Sequence, residues 1–353
     1  MGSLEDGVLV PHNSSQLAYC GRIKEKEDSK EFIWPGSYVK IRFRGTGISA
    51  LVRNNRAYYD NSVGFLLDGE YLKLNLADSP DICIVSASSL PEGEHDLILY
   101  KRMDLCHYFD FLAFVIDEGG EILDQPPLPG RRIEAYGDSI TCGELSEAYD
   151  YVGMPDPTHT GEFSNSFYSY AALTAQALNA RLHNNSQGGL ALLDNTGYFR
   201  YPEALGLESL YKTLRPNPQL GPVEPWDFSF KPHLILLAIG QNDAYPDNYM
   251  ARDYNSRASA FWRKRYIEFV KTLRKINPQA DIICMTTILM HEPAWDEAID
   301  EACLRLSDPK VHRFRFTRNG IGTPGHVRKS EAEEMAGELV PFIESLDLDW
   351  PKN

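Results

Sequence analysis

Ile133-Glu134-Ala135-Tyr136-Gly137-Asp138-Ser139-Ile140-Thr141 is the stretch whose reading decides the fold. An apolar run rises to Tyr136, Gly137 and Asp138 interrupt it, and Ser139 stands where a helix can begin. That order is a strand, a turn and a helix start. Such a turn exposes the serine oxygen at the carboxyl end of a sheet, with backbone N–H groups beside it. Those groups are what a nucleophile needs when a substrate carbonyl becomes an oxyanion. Gly, Asp and Ser are also ordinary turn residues, so the stretch alone is equally a plain turn.

Downstream, strands and helices alternate. Residues 164–180 carry Phe167, Tyr170, Ala171, Thr174 and Leu178 on one helical face, and residues 181–186 form a candidate strand. Residues 233–239 are almost wholly apolar, as a strand buried on both faces should be. Residues 256–276 read as a helix ended by Asn277-Pro278, 281–289 and 311–316 as strands, and 330–346 as a closing helix. The rhythm predicts an α/β, doubly wound domain with a parallel sheet over 133–353, its crevice at the strand carboxyl ends.

Upstream the pattern is different. Residues 37–43 alternate apolar with polar, Gly45-Thr46-Gly47 reads as a turn, and 48–52, 64–69, 82–85, 95–100 and 109–116 follow as short strands. Asp68-Gly69 is a hairpin signal. This spacing predicts an N-terminal β-sandwich over 1–124. Between the two, residues 125–132 hold Pro126, Pro127 and Pro129 and read as a stiff linker.

The net charge of −15, from 50 acidic and 35 basic residues, argues against nucleic acid or an anionic membrane as partner. No apolar run reaches the ~18 residues of a membrane span. Residues 1–7 hold no basic segment followed by an apolar one, so a cytoplasmic protein is expected unless a leader has been removed. The six cysteines lack Cys-x-x-Cys spacing and read as reduced thiols. No cluster has metal-ligand spacing, so neither metal nor cofactor is expected.

A nucleophilic Ser139 needs a base and oxyanion donors. Asn184-Asn185-Ser186-Gln187-Gly188-Gly189-Leu190 follows the second parallel strand and Gly240-Gln241-Asn242-Asp243 the third; each alone is equally a turn loop. Of nine histidines, His95, His183 and His233 lie in or beside strands, and His107, His159, His291 and His312 have no evident partner. His326 ends a glycine-rich loop before the last helix, at the catalytic end of the sheet, and is the candidate base. Asp138 and Asp243 read as turn carboxylates satisfying backbone N–H groups.

These residues resemble a known family. Gly137-Asp138-Ser139-Ile140, the Gly189 loop, Gly240-Gln241-Asn242-Asp243 and His326 are similar to the four ordered blocks of the SGNH (GDSL-like) hydrolases. Gly188 is an alternative to Gly189 in the weakest block. Pro91-Glu92-Gly93-Glu94-His95-Asp96, Lys101-Arg102 and 133–143 look like the two-domain family-two carbohydrate esterases, in which a jelly-roll domain precedes the hydrolase domain. The resemblance implies Ser139 as nucleophile, His326 as general acid and base, and an oxyanion hole of the Ser139 and Gly189 N–H groups with the Asn242 side chain. It implies removal of O-acetyl groups from hemicellulose-derived manno- or xylo-oligosaccharides through an acetyl-enzyme, with an acetylated oligosaccharide as partner.

One departure stands out. The family places an aspartate two or three residues before the histidine, and Pro324 and Thr323 occupy those positions here. A Ser139–His326 dyad lacking that aspartate is therefore expected, with a backbone carbonyl, or an acid from elsewhere, behind the ring. Two rivals are a lipid or acyl-thioester hydrolase on the same scaffold, and a carbohydrate-binding protein whose hydrolase domain has decayed.

Overall fold

In the chain's first hundred residues, side chains alternate between core and solvent, and the backbone follows. In the computed structural model, which describes residues 7–79 and 81–351, the strand Tyr38–Arg56 buries Val39, Ile41 and Phe43 and leaves Arg42 and Arg44 outside. Those arginines pair with Glu94 on the neighbouring strand, at 2.8 and 2.7 Å. Residues 1–6, read above for a leader, lie outside the described residues.

The first unit comprises Met1–Leu128 together with Leu214–Glu224. It is a ten-stranded antiparallel sheet. Its core includes Phe32, Ile41, Phe43, Ile48, Val52, Phe65, Leu97, Phe109, Phe111 and Ile116. Each such side chain, fully withdrawn from water, contributes about 1.5–3 kcal/mol. Asp68-Gly69 makes the expected two-residue hairpin, both residues at positive φ (52° and 90°), joining Ser62–Leu67 to Glu70–Asn75.

The expected turn at 45–47 is not one. Residues 37–43 and 48–52 belong to a single strand, Tyr38–Arg56, and 82–85 and 95–100 to another, Ile82–Lys101. Their ladder passes from Gly45↔Gly93 to Gly47↔Ser88, so a bulge takes up the irregularity. Gly45, at φ 154°, supplies the backbone freedom that a turn would also have used.

Leu214–Glu224 joins this unit through buried polar contacts. Arg215 pairs with Glu31 at 3.1 Å, Asn217 donates from Nδ2 to the Leu105 carbonyl at 2.8 Å, and the Trp34 indole donates to the Leu214 carbonyl at 2.8 Å.

The second unit is Pro129–Thr213 with Pro225–Asn353. Its sheet is parallel, in the order Ala180–Ser186, Arg131–Gly137, Leu234–Ala238, Asp281–Met285, Val311–Arg313. Leu234–Ala238 is buried along its whole length. One face, with Ile133, Ala135, Leu236 and Ile283, packs against the helices Tyr170–Ala177 and Lys329–Ser345. On the other, Tyr136 meets Phe269 of the helix Arg257–Ile276 edge-on. The chain steps to one side after its first parallel strand and returns across it for the third. This switch point opens a crevice at the carboxyl ends of those strands.

Three local expectations change. Residues 164–180 hold one 3-10 turn and then the helix Tyr170–Ala177, because Ser169 stops the first and caps the second through the Ala172 N–H. The fourth strand ends at Met285, and residues 287–291 beyond it meet the histidine loop through irregular backbone hydrogen bonds, Gly322 N–H to the Ile288 carbonyl at 2.8 Å and Met290 N–H to the Thr323 carbonyl at 2.9 Å among them. A further helix, Pro293–Leu306, buries Trp295, Ala298, Ile299 and Ala302 at helical spacing. No helix among the described residues is long and apolar enough to cross a membrane.

Candidate active site

The turn after Arg131–Gly137 is built around Gly137. A Cβ there would run into the Thr141 hydroxyl and come within 3.0 Å of the Ala238 carbonyl oxygen. Asp138 caps the short helix Ser139–Cys142, its Oδ1 accepting the Ile140 N–H at 3.0 Å. Burial pushes the Asp138 carboxyl up to about 7, against that hydrogen bond. Ser139 is the first helical residue, a position whose N–H has no intrahelical acceptor.

Two loops close on this turn. Gly189 has φ 69°, and a Cβ on it would lie 2.7 Å from the Tyr198 Cβ and 3.2 Å from the Phe199 nitrogen. Its carbonyl accepts the Tyr198 N–H at 2.8 Å. Asn242 donates from Nδ2 to the Leu190 carbonyl at 3.0 Å and lies 3.5 Å from Asp138 Oδ2. The buried Asp243 ties the two loops together, its carboxylate accepting the Leu192 and Leu193 N–H groups at 2.7 and 3.1 Å. These partners are some fifty residues away in sequence, so this is not the local turn capping expected of it.

Ser139, Gly189, Asn242 and His326 line one cavity of about 800 Å³. All four residues singled out from the sequence are therefore brought together. Of the two adjacent glycines, Gly189 lines the cavity and Gly188 does not. Glu144, Asp156, Tyr198, Gln241, His291 and Glu292 share that wall.

The expected dyad is corrected here. Asp156 Oδ2 lies 2.7 Å from His326 Nδ1, and Oδ1 accepts the His326 N–H at 2.8 Å. The acid comes from elsewhere, 170 residues upstream, rather than being replaced by a carbonyl. Two features let it reach the ring. Gly325 leaves room for it, since a Cβ there would lie 2.6 Å from Asp156 Oδ1. The fully buried Arg328 guanidinium then holds that same oxygen at 2.8 Å. Burial raises the Asp156 carboxyl, but His326 and Arg328 outweigh it and hold it well below the usual carboxylate range.

A second carboxylate was not anticipated. Glu144 Oε2 stands 3.4 Å from His326 Nε2 and 3.3 Å from His159 Nε2. Burial works against its charge, and the two imidazoles hold it well below the usual range. For His326 itself, burial disfavours the imidazolium, but Asp156 and Glu144 prevail and raise it to about 10. Of the other histidines, His291 pairs with the buried Asp296 at 2.9 Å and His312 with Asp281 at 2.7 Å. The only sequence sign at Asp156 is its place between Pro155 and Pro157, which marks extended backbone but names no partner.

The parallel sheet and these loops are those of a GDSL-like hydrolase, and residues 135–307 match the GDSL-like Lipase/Acylhydrolase family. Residues 19–126 match the carbohydrate esterase 2 N-terminal family. The chain thus joins a carbohydrate esterase 2 N-terminal domain to a GDSL-like lipase/acylhydrolase domain, and its relatives are family-two carbohydrate esterases and acetylxylan esterases. It is 29% identical over 356 residues to an acetylxylan esterase / glucomannan deacetylase of Cellvibrio japonicus, covering 97% of this chain and 91% of that protein. It is 27% identical over 368 residues to the cellulase/esterase CelE of Acetivibrio thermocellus, covering 98% of this chain but only 41% of that protein's length. A solved family-two carbohydrate esterase from Clostridium thermocellum, in complex with cellohexaose, is 26% identical with a TM-score of 0.78, covering 93% of this chain and 98% of that one.

Proposed function

We propose that the protein is a serine esterase that removes O-acetyl groups from sugar hydroxyls of hemicellulose-derived oligosaccharides. Ser139 Oγ attacks the acetyl carbonyl while His326 takes its proton, and Asp156 holds the ring through Nδ1. The Ser139 and Gly189 N–H groups and the Asn242 amide receive the developing oxyanion. His326 then gives the proton to the departing sugar oxygen, leaving acetyl on Ser139. Water, deprotonated by the same ring, releases acetate.

The observation that carries this reading is the convergence of four sequence-distant residues on one cavity, with a carboxylate behind the histidine. The relatives named above support the acetyl ester of a xylan or glucomannan sugar as substrate. The Tyr198 ring, half exposed on the cavity wall and stacked on Tyr245 at 4.2 Å, supports a sugar ring lying beside it.

The test is acetate release from acetylated xylo- and manno-oligosaccharides, with NMR to identify the hydroxyl cleared. Ser139→Ala should abolish it. Preference for p-nitrophenyl octanoate over the acetate would favour a lipid or acyl-thioester hydrolase instead. Equal sugar binding with no Ser139-dependent hydrolysis would favour a binding protein.

A further inference from the structure

In a serine hydrolase one ring nitrogen of the histidine faces its acid and the other faces the nucleophile and leaving group. Here both nitrogens face carboxylates. Asp156 takes Nδ1, and Glu144 stands 3.4 Å from Nε2, on the side the reaction uses. Glu144 is not a surface residue that has wandered inward. It leaves the short helix Ser139–Cys142 just after Gly143, whose φ of 76° ends that helix. Its side chain is 13% exposed, and His159 backs it at 3.3 Å.

We infer that Glu144 is a positioning residue for His326, gripping the ring at Nε2 while Asp156 grips it at Nδ1, so that the resting enzyme stores an imidazolium between two carboxylates. The inference rests on the esterase reading above. The charged and titratable groups around the ring are Asp156 with Arg328 behind it, Glu144 with His159 behind it, and Asp138 at the end of the first parallel strand. His291 and Glu292 line the same cavity.

The proton ledger follows from the geometry. The stored Nε2 proton must leave to water before the neutral ring can take the Ser139 proton. When it does, Oγ bonds to the acetyl carbon and the imidazolium forms again beside Glu144, which stabilises it. That proton then passes to the sugar oxygen as its bond to the acetyl carbon breaks. Glu144 thus favours the ionised ring both at rest and in the transition state. Activity should rise only toward alkaline pH and reach a high plateau there.

Glu144→Gln keeps the shape and removes the charge. Two readouts separate the pairing from the activity: ring-NMR titration of His326, with the signal assigned by His326→Gln, and the pH profile of kcat/KM for acetate release. We expect the imidazole midpoint and the ascending kinetic limb both to fall by at least one pH unit in E144Q, with several-fold loss of the alkaline plateau. Glu144→Ala should move both in the same direction. Neither midpoint moving in folded E144Q and E144A would overturn the inference, as would an imidazole shift with no change in the kinetics of an active enzyme. An imidazole shift in a protein that hydrolyses no acetyl ester at any pH would uphold the pairing and overturn the esterase reading.

Discussion

Asp156→Asn isolates what the carboxylate does for His326. Its Oδ1 can keep the His326 N–H at 2.8 Å and the Arg328 guanidinium at 2.8 Å, so the loop should stay in place. Only the other half changes, where a carboxylate oxygen 2.7 Å from Nδ1 gives way to an NH2 group that donates. That donor forces the ring proton onto Nε2, the wrong tautomer for a base that must accept from Ser139. Burial disfavours the His326 imidazolium, and the two carboxylates outweigh it and raise the ring to about 10. Asp156 makes the shorter contact with the ring, 2.7 against 3.4 Å for Glu144. The tautomer error sets the expected fall in kcat at about 10³–10⁴-fold. The assay is p-nitrophenyl acetate hydrolysis from pH 6 to 10.5, with the thermal midpoint as the check on folding. A folded D156N enzyme within threefold of wild type across that range would refute the reasoning.

Asn242→Ala removes one of the proposed oxyanion donors and should lower kcat about 10²–10³-fold with KM nearly unchanged; an equal rise in KM would mean that Asn242 binds ground-state substrate instead. Gly189→Ala places a methyl group 2.7 Å from the Tyr198 Cβ at a φ of 69°, so it should displace the loop. The expected cost is about 1–3 kcal/mol of stability, together with at least a tenfold loss of kcat, read by thermal melts and acetate release. His326 also links stability to pH. Its folded value of about 10 exceeds its ordinary 6.5. The stabilisation is therefore complete below about pH 6.5 and is lost as pH rises through 10. The gap in thermal midpoint between wild type and H326Q should narrow over that window, and a constant gap would contradict it.

Much of this was legible in order along the chain. A strand buried on both faces must be apolar throughout, so residues 234–238 announced a central parallel strand. Glycine, aspartate and serine at 137–139 announced a turn and a helix start, since Asp138 caps the helix Ser139–Cys142 and only glycine leaves room beside Thr141. The helix Pro293–Leu306 carried a readable spacing, with Pro293 at its start and Trp295, Ala298, Ile299 and Ala302 on one face. The bulge at Gly45 was not readable as such, since a glycine that can turn a chain can equally bend a strand.

Side-chain partnership across long separations left no trace in the sequence. Local spacing encodes helix faces and strand faces, because those repeat with a fixed period along the chain. The meeting of Asp156 with His326, or of Glu144 with the same ring, depends on how separate loops cross above the sheet. By itself the sequence determined two kinds of sheet, the serine turn, two polar loops at the strand ends and a histidine loop before the last helix. Only the folded chain decided which acids face that histidine, because carboxylates and imidazole select one another by distance in space and not by position along the backbone.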